Sequence, residues 1–190
     1  MKLKYLYSLP LLLSLTACSS VHDAKPIGQV TRSSNVEIIK QISYAKKYYK
    51  NPNKQTFGDL GGTDCVNFVS QSLLARGWKL TSDWSYKDGY TRAWISSTGF
   101  RDYLTQHPEL ATPLNWDQKD KVQVGDVFQF DWDNSGDRDH TAIVSGFTST
   151  KGVKEILLAS HSPAAFDWSI KEAIAEHGDP THVYFWHIKP

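Results

Sequence analysis

The sequence predicts an α+β fold, because helical spacing dominates its first half and short β-rich runs separated by turn residues dominate its second. There is no internal repeat, and 190 residues at 40% hydrophobic and 22% charged are the composition of one domain with a core and a short appendage. Global disorder and collagen-like repetition are excluded on that composition. A formal charge of +1 gives no case for a nucleic-acid partner. Two cysteines, Cys18 and Cys65, are too few for a disulfide scaffold or a cysteine-rich zinc site, so each must be read from its surroundings.

Residues 1–17 read as a secretory leader. A basic start, Met1-Lys2-Leu3-Lys4, precedes an apolar run over 5–17, shorter than the roughly 20 residues a membrane-spanning helix needs. Its exit, Leu15-Thr16-Ala17-Cys18, resembles a bacterial lipobox. That resemblance implies cleavage before Cys18 and acylation of both its thiol and its new amine, which anchors firmly where one chain holds only marginally. Ser19, in place of Asp, implies the periplasmic face of the outer membrane if the cell is Gram-negative. Losing Lys2 and Lys4 leaves 19 basic against 20 acidic residues. The expected membrane contact is therefore lipid on Cys18, not a basic surface.

Residues 18–33 read as the lipidated terminus and a polar tether with Pro26 and Gly28, and 34–190 as the domain. Ser34-Asn35-Val36-Glu37 has the form of a capping box. Val36, Ile39, Ile42 or Ser43, and Lys46 then trace one stripe of a helix to about residue 50. Asn51-Pro52-Asn53 ends it, and a Gly-rich loop carries Gly58, Gly61 and Gly62. A second helix is expected from Thr63 or Asp64 to Arg76, closed by Gly77. A third spans 97–106, before Pro108. Strands follow at 127–130, 141–147, 156–159 and 183–188, with a short helix at 170–177 between the last two.

Cys65 falls in the first turn of the second helix. There, unpaired backbone N–H groups and the dipole favour a thiolate, and a Gly-rich approach lets backbone donors meet an oxyanion. A thiol nucleophile also needs a base, normally histidine. Of seven histidines, His22 lies in the tether, His107 and His177 near helix ends, and His182 and His187 in or beside the last strand. His140 opens the strand His140-Thr141-Ala142-Ile143-Val144, a rigid mount for an imidazole. A hairpin centred between Thr150 and Lys151 sets residues whose numbers sum to 301 opposite each other, which adds His161 as the group that orients His140.

The segment Asp64-Cys65-Val66-Asn67-Phe68-Val69-Ser70-Gln71 resembles the nucleophile motif of the bacterial putative amidase domain family, which is grouped with papain-like cysteine hydrolases such as NlpC-type and CHAP peptidases. Tyr44-Ala45-Lys46-Lys47-Tyr48-Tyr49, Trp94, Phe100, Tyr103-Leu104, and Gly125-Asp126-Val127-Phe128 leading to Asp139-His140-Thr141-Ala142 match in order, covering the chain from about residue 36. The resemblance implies a papain-like fold, a nucleophile helix packed on an antiparallel β-meander, with Cys65 as nucleophile, His140 as base and acid, and His161 as third polar residue. Ser162-Pro163-Ala164-Ala165 departs from the family's usual stretch after that position. The chemistry implied is amide hydrolysis through a thioester, for which no cofactor or metal is required.

Export, anchoring and thiol chemistry together indicate an envelope-bound amidase or peptidase acting on peptidoglycan peptides, with an unidentified envelope partner left open. A different amide substrate, and a non-catalytic lipoprotein adaptor or peptide-binding module on the same fold, are the alternatives. Asp131-Trp132-Asp133-Asn134-Ser135-Gly136-Asp137 begins like a calcium loop, but Ala142 stands at its twelfth position, so it reads as a polar connection between strands. No His-Glu-x-x-His or Cys-x-x-Cys occurs. Trp84 and Trp94 are the candidates for a substrate groove.

Overall fold

A computed structural model describes residues 29–150, 152–177 and 182–190. Residues 1–17, expected to be a leader, and Cys18 and His22 lie outside them. Asn35, not Ser34, caps the first helix α1 (Val36–Tyr48), its side chain accepting from the amides of Glu37 and Ile38. The helix buries Gln41, Ile42 and Ala45, while Val36 and Ile39 of the expected stripe are exposed. The stripe is rotated because Gln41 is drawn inward: its amide donates to Gly125 O and its carbonyl accepts from Arg76.

A short α2 (Lys54–Phe57) and a 3-10 turn over Gly61–Thr63 lead into α3 (Cys65–Arg76). Nearly every α3 side chain is buried, because the helix packs against α1 on one side and the sheet on the other. Gly77 ends it at φ 124, a left-handed backbone that glycine adopts without penalty. Then come α4 (Arg92–Ile95) and α5 (Ser97–Gln106).

Six strands follow: β1 (Ala111–Asn115), β2 (Val127–Phe130), β3 (His140–Thr150), β4 (Val153–Ser160), β5 (Ala165–Ser169) and β6 (Val183–Ile188), with α6 (Ile170–His177) before the last. All pair antiparallel in the order β1-β6-β2-β3-β4-β5, so the fold is α+β. Pro113 lacks a ladder donor and stands in the edge strand β1, where that loss is tolerated.

The β3–β4 register differs from the one expected. Ile143 faces Ala159, not Leu158, a shift lies between Val144 and Gly146, and β4 ends at Ser160. Part of the segment read as tether is docked. Thr31 bridges Phe147, and Arg32 bonds both Asp167 and Ser145 O. Among the described residues no helix is long and apolar enough to cross a membrane.

Candidate active site

Asp64 and Cys65 open α3. Asp64 does not cap the helix with its side chain. Its Oδ1 accepts from the Leu60 amide at 3.0 Å and Asn67 Nδ2 at 2.8 Å, and Oδ2 lies 2.6 Å from His161 Nδ1. The other His161 nitrogen meets Tyr48 O at 2.8 Å, and the ring stacks on Phe68 at 4.1 Å. His161 is therefore not set opposite His140 as the expected hairpin required. The shifted register and the early end of β4 turn its ring to the entrance of the nucleophile helix.

The Cys65 sulfur sits where α3, α5 and β3 converge. It lies beside the backbone of Thr141 and Val66, which favours its charged form, and Ser97 Oγ is 3.7 Å away. Thr141 follows His140 in the chain, so the first residues of β3 meet the first turn of α3. His140 is buried, opposes Phe130 on β2, and stacks on Trp132 at 6.0 Å. Cys65 is only 7% exposed. Burial pushes its thiol up, with Asp64 adding to the rise, against the lowering by Ser97, Thr141 and Val66. The thiolate expected from the helix N-terminus is thus not the resting form.

A hydrogen-bond network that no sequence motif announces lies behind the sulfur. Thr141 Oγ1 donates to Ser97 Oγ at 2.9 Å. Gln129 Nε2 donates to Thr141 Oγ1 and to Ser97 O, at 3.1 and 2.9 Å, while its carbonyl accepts from Trp186 Nε1 at 2.9 Å. One signal was available: Gln129 is a polar residue inside the otherwise apolar strand Val-Phe-Gln-Phe. Nothing in the sequence marks Ser97.

The remaining candidates fall elsewhere. Trp84 and Trp94 are fully buried, their indole N–H groups donating to Ser70 Oγ and Asn67 Oδ1, so they form core and not a groove. His187 meets Asp126, whose burial raises its carboxyl. His107 pairs with Glu109 at the end of α5, and His182 lends its carbonyl to the Asp131 amide. Asp131, Asp133 and Asp139 have carboxylate oxygens within 4.8 Å of one another. Those oxygens accept the loop amides of Trp132, Ser135 and Gly136, which accounts for the turn.

These features define an α+β protein with one free thiol among its described residues, set at a helix N-terminus against a strand. The chain belongs to the putative amidase domain family, whose profile matches residues 35–186, and hydrolase chemistry is the activity that membership suggests. Two proteins of Bacillus subtilis (strain 168) are similar. The uncharacterized protein YjcM is 33% identical over 117 residues, 58% of this chain and 28% of its own length. The uncharacterized protein YhbB is 26% identical over 128 residues, 60% of this chain and 38% of its own length. The chain thus spans about a third of the length of these curated relatives. No solved structure matches it.

Proposed function

We propose that this protein is a papain-like cysteine amidase that opens amide bonds in peptidoglycan peptides, held in the cell envelope by acyl chains on Cys18. The observation that carries the reading is the packing of the α3 N-terminus against the start of β3, with Ser97 joining the Cys65 sulfur to Thr141, in a member of an amidase-domain family. Cys65 Sγ attacks the amide carbonyl as His140 takes the thiol proton. His140 returns that proton to the leaving amine, and the acyl group remains on sulfur as a thioester. Water attacks the thioester, passing its proton through His140 to the departing sulfur, and the acid leaves. Amides in the first turn of α3 supply donors for the developing oxyanion. His161 positions Asp64, the residue that precedes the nucleophile.

The test is incubation of the full chain with purified peptidoglycan, followed by chromatography of the released fragments. New amine termini are expected with the wild type and none with Cys65→Ala. Identical profiles for the two would rule out this substrate. The burial of Cys65 favours a second reading, a lipoprotein adaptor or peptide-binding module in which the residue merely packs. In that case peptides bind uncleaved, and Cys65→Ala binds them as tightly as the wild type.

A further inference from the structure

The hydrogen bonds behind Cys65 run in one direction, and that direction follows from donor counting. Indole Nε1 can only donate, so the Trp186 contact makes Oε1 the Gln129 atom that faces it. Both hydrogens of Gln129 Nε2 are then spent on Ser97 O and Thr141 Oγ1. Thr141 Oγ1 accepts there, and its single hydrogen goes to Ser97 Oγ at 2.9 Å, the other hydrogen-bond partner of that hydroxyl. Ser97 Oγ in turn accepts, and its own hydrogen is left for the Cys65 sulfur at 3.7 Å. All five side chains are buried, so water does not scramble this order.

From this we propose that Ser97 is a dedicated donor to the reacting sulfur, with Thr141, Gln129 and Trp186 as positioning residues that fix its direction. The proposal deepens the cysteine-amidase reading and rests on it for its catalytic meaning. With Ser97 committed as donor, the thiol hydrogen has no acceptor at that hydroxyl and is left to a base. Once it leaves, the sulfur keeps the Ser97 hydroxyl as its side-chain donor, with the backbone of Thr141 and Val66 beside it also favouring the charged form. Burial opposes the thiolate, and the chain of donors offsets part of that opposition. A hydroxyl free to rotate would accept from the thiol as readily as donate to it, and would offset less.

On the segments that meet at the sulfur, the titratable groups are Asp64 before α3, with His161 against it, and His140, which precedes Thr141 on β3. The first turn of α5, Ser97-Thr98-Gly99-Phe100, carries none. Substitution of Ser97 therefore leaves the neighbouring titratable groups in place.

The test is the pH dependence of Cys65 alkylation by iodoacetamide in the full chain, read by mass spectrometry of the peptide that contains Cys65. It requires no substrate, so it stands or falls separately from hydrolysis of peptidoglycan. Ser97→Ala is expected to move the midpoint up by about one pH unit, a roughly tenfold smaller thiolate fraction at a given pH. Ser97→Thr keeps the hydroxyl and should restore the wild-type midpoint. Trp186→Phe removes the group that sets the Gln129 amide and should shift the midpoint in the same direction by less. Should Ser97→Ala fail to fold, Trp186→Phe decides the matter alone. A folded Ser97→Ala with an unmoved midpoint, or in its absence an unmoved Trp186→Phe, overturns the proposal. Unmoved midpoints beside intact hydrolysis would reject the donor chain and leave the amidase. A shift without hydrolysis would do the reverse.

Discussion

Asp64 and His161, 97 residues apart in the chain, meet at 2.6 Å between Oδ2 and Nδ1 with both side chains buried. The contact ties the entrance of α3 to the end of β4, and the second ring nitrogen extends the tie to the last residue of α1 through Tyr48 O. Three elements are thereby fixed around the residue before Cys65. Removing the imidazole strands a buried carboxylate and opens a space against Phe68.

His161→Ala is accordingly expected to lower folding stability by about 3 kcal/mol. Urea unfolding followed by tryptophan fluorescence measures it. A midpoint equal to that of the wild type would show that the tie contributes nothing.

The docking of residues 30–32 depends on Gly146. A Cβ there would stand 2.4 Å from Arg32 Nη1, 2.9 Å from Val30 Cγ1 and 3.0 Å from Thr31 O. Gly146→Ala should therefore lift this segment from β3, with amide exchange at Thr31 and Phe147 rising at least tenfold. Global stability should fall by only about 1 kcal/mol, because Arg32 is partly exposed and its ion pair with Asp167 is screened by solvent. Unchanged exchange at both amides would mean the segment accommodates a methyl group in place.

The aromatic interior makes a larger prediction. Trp84 and Trp94 pack as tilted rings with centroids 4.7 Å apart and no exposed surface, and each indole N–H is satisfied by a side chain of α3. Trp84→Ala should cost about 3–5 kcal/mol and leave Ser70 without its donor. Thermal unfolding checks it. A loss below 1 kcal/mol would place Trp84 at a surface groove after all.

Alkaline stability follows from the thiol. Its folded pKa lies above the ordinary cysteine value because burial dominates. As pH rises past that ordinary value, the unfolded chain loses its proton first, so the thiol's contribution to stability is constant below it and declines above it. Cys65→Ala should abolish that component of the alkaline decline in denaturation midpoint. An equal slope in both proteins would contradict a raised thiol.

Much of the fold was legible in residues with strong local signals. The helix over 97–106 and the strands over 127–130 and 183–188 match the structure, because Pro108 stops the first and dense β-branched and aromatic residues define the others. The edge strands β1 and β5 carry no comparable signal. Pro113 masks one, and the other, Ala165-Phe166-Asp167-Trp168-Ser169, has a short irregular pattern. The Gly-rich approach and the Gly77 stop mark the helix that Cys65 opens. The position of His161 depended on hairpin register, and the irregularity near Ser145, which periodicity does not encode, moved it. Ser97 and Gln129 joined the thiol only through tertiary packing.

The central claim, amide hydrolysis through Cys65, is tested most directly by intact-mass analysis of the full chain acid-quenched during incubation with a peptidoglycan-derived peptide. The account predicts a transient acyl adduct that maps to Cys65, appears with the released amine, and is absent in Cys65→Ala. Cleavage that persists in Cys65→Ala, or a wild type that releases no amine and carries no adduct, would contradict it.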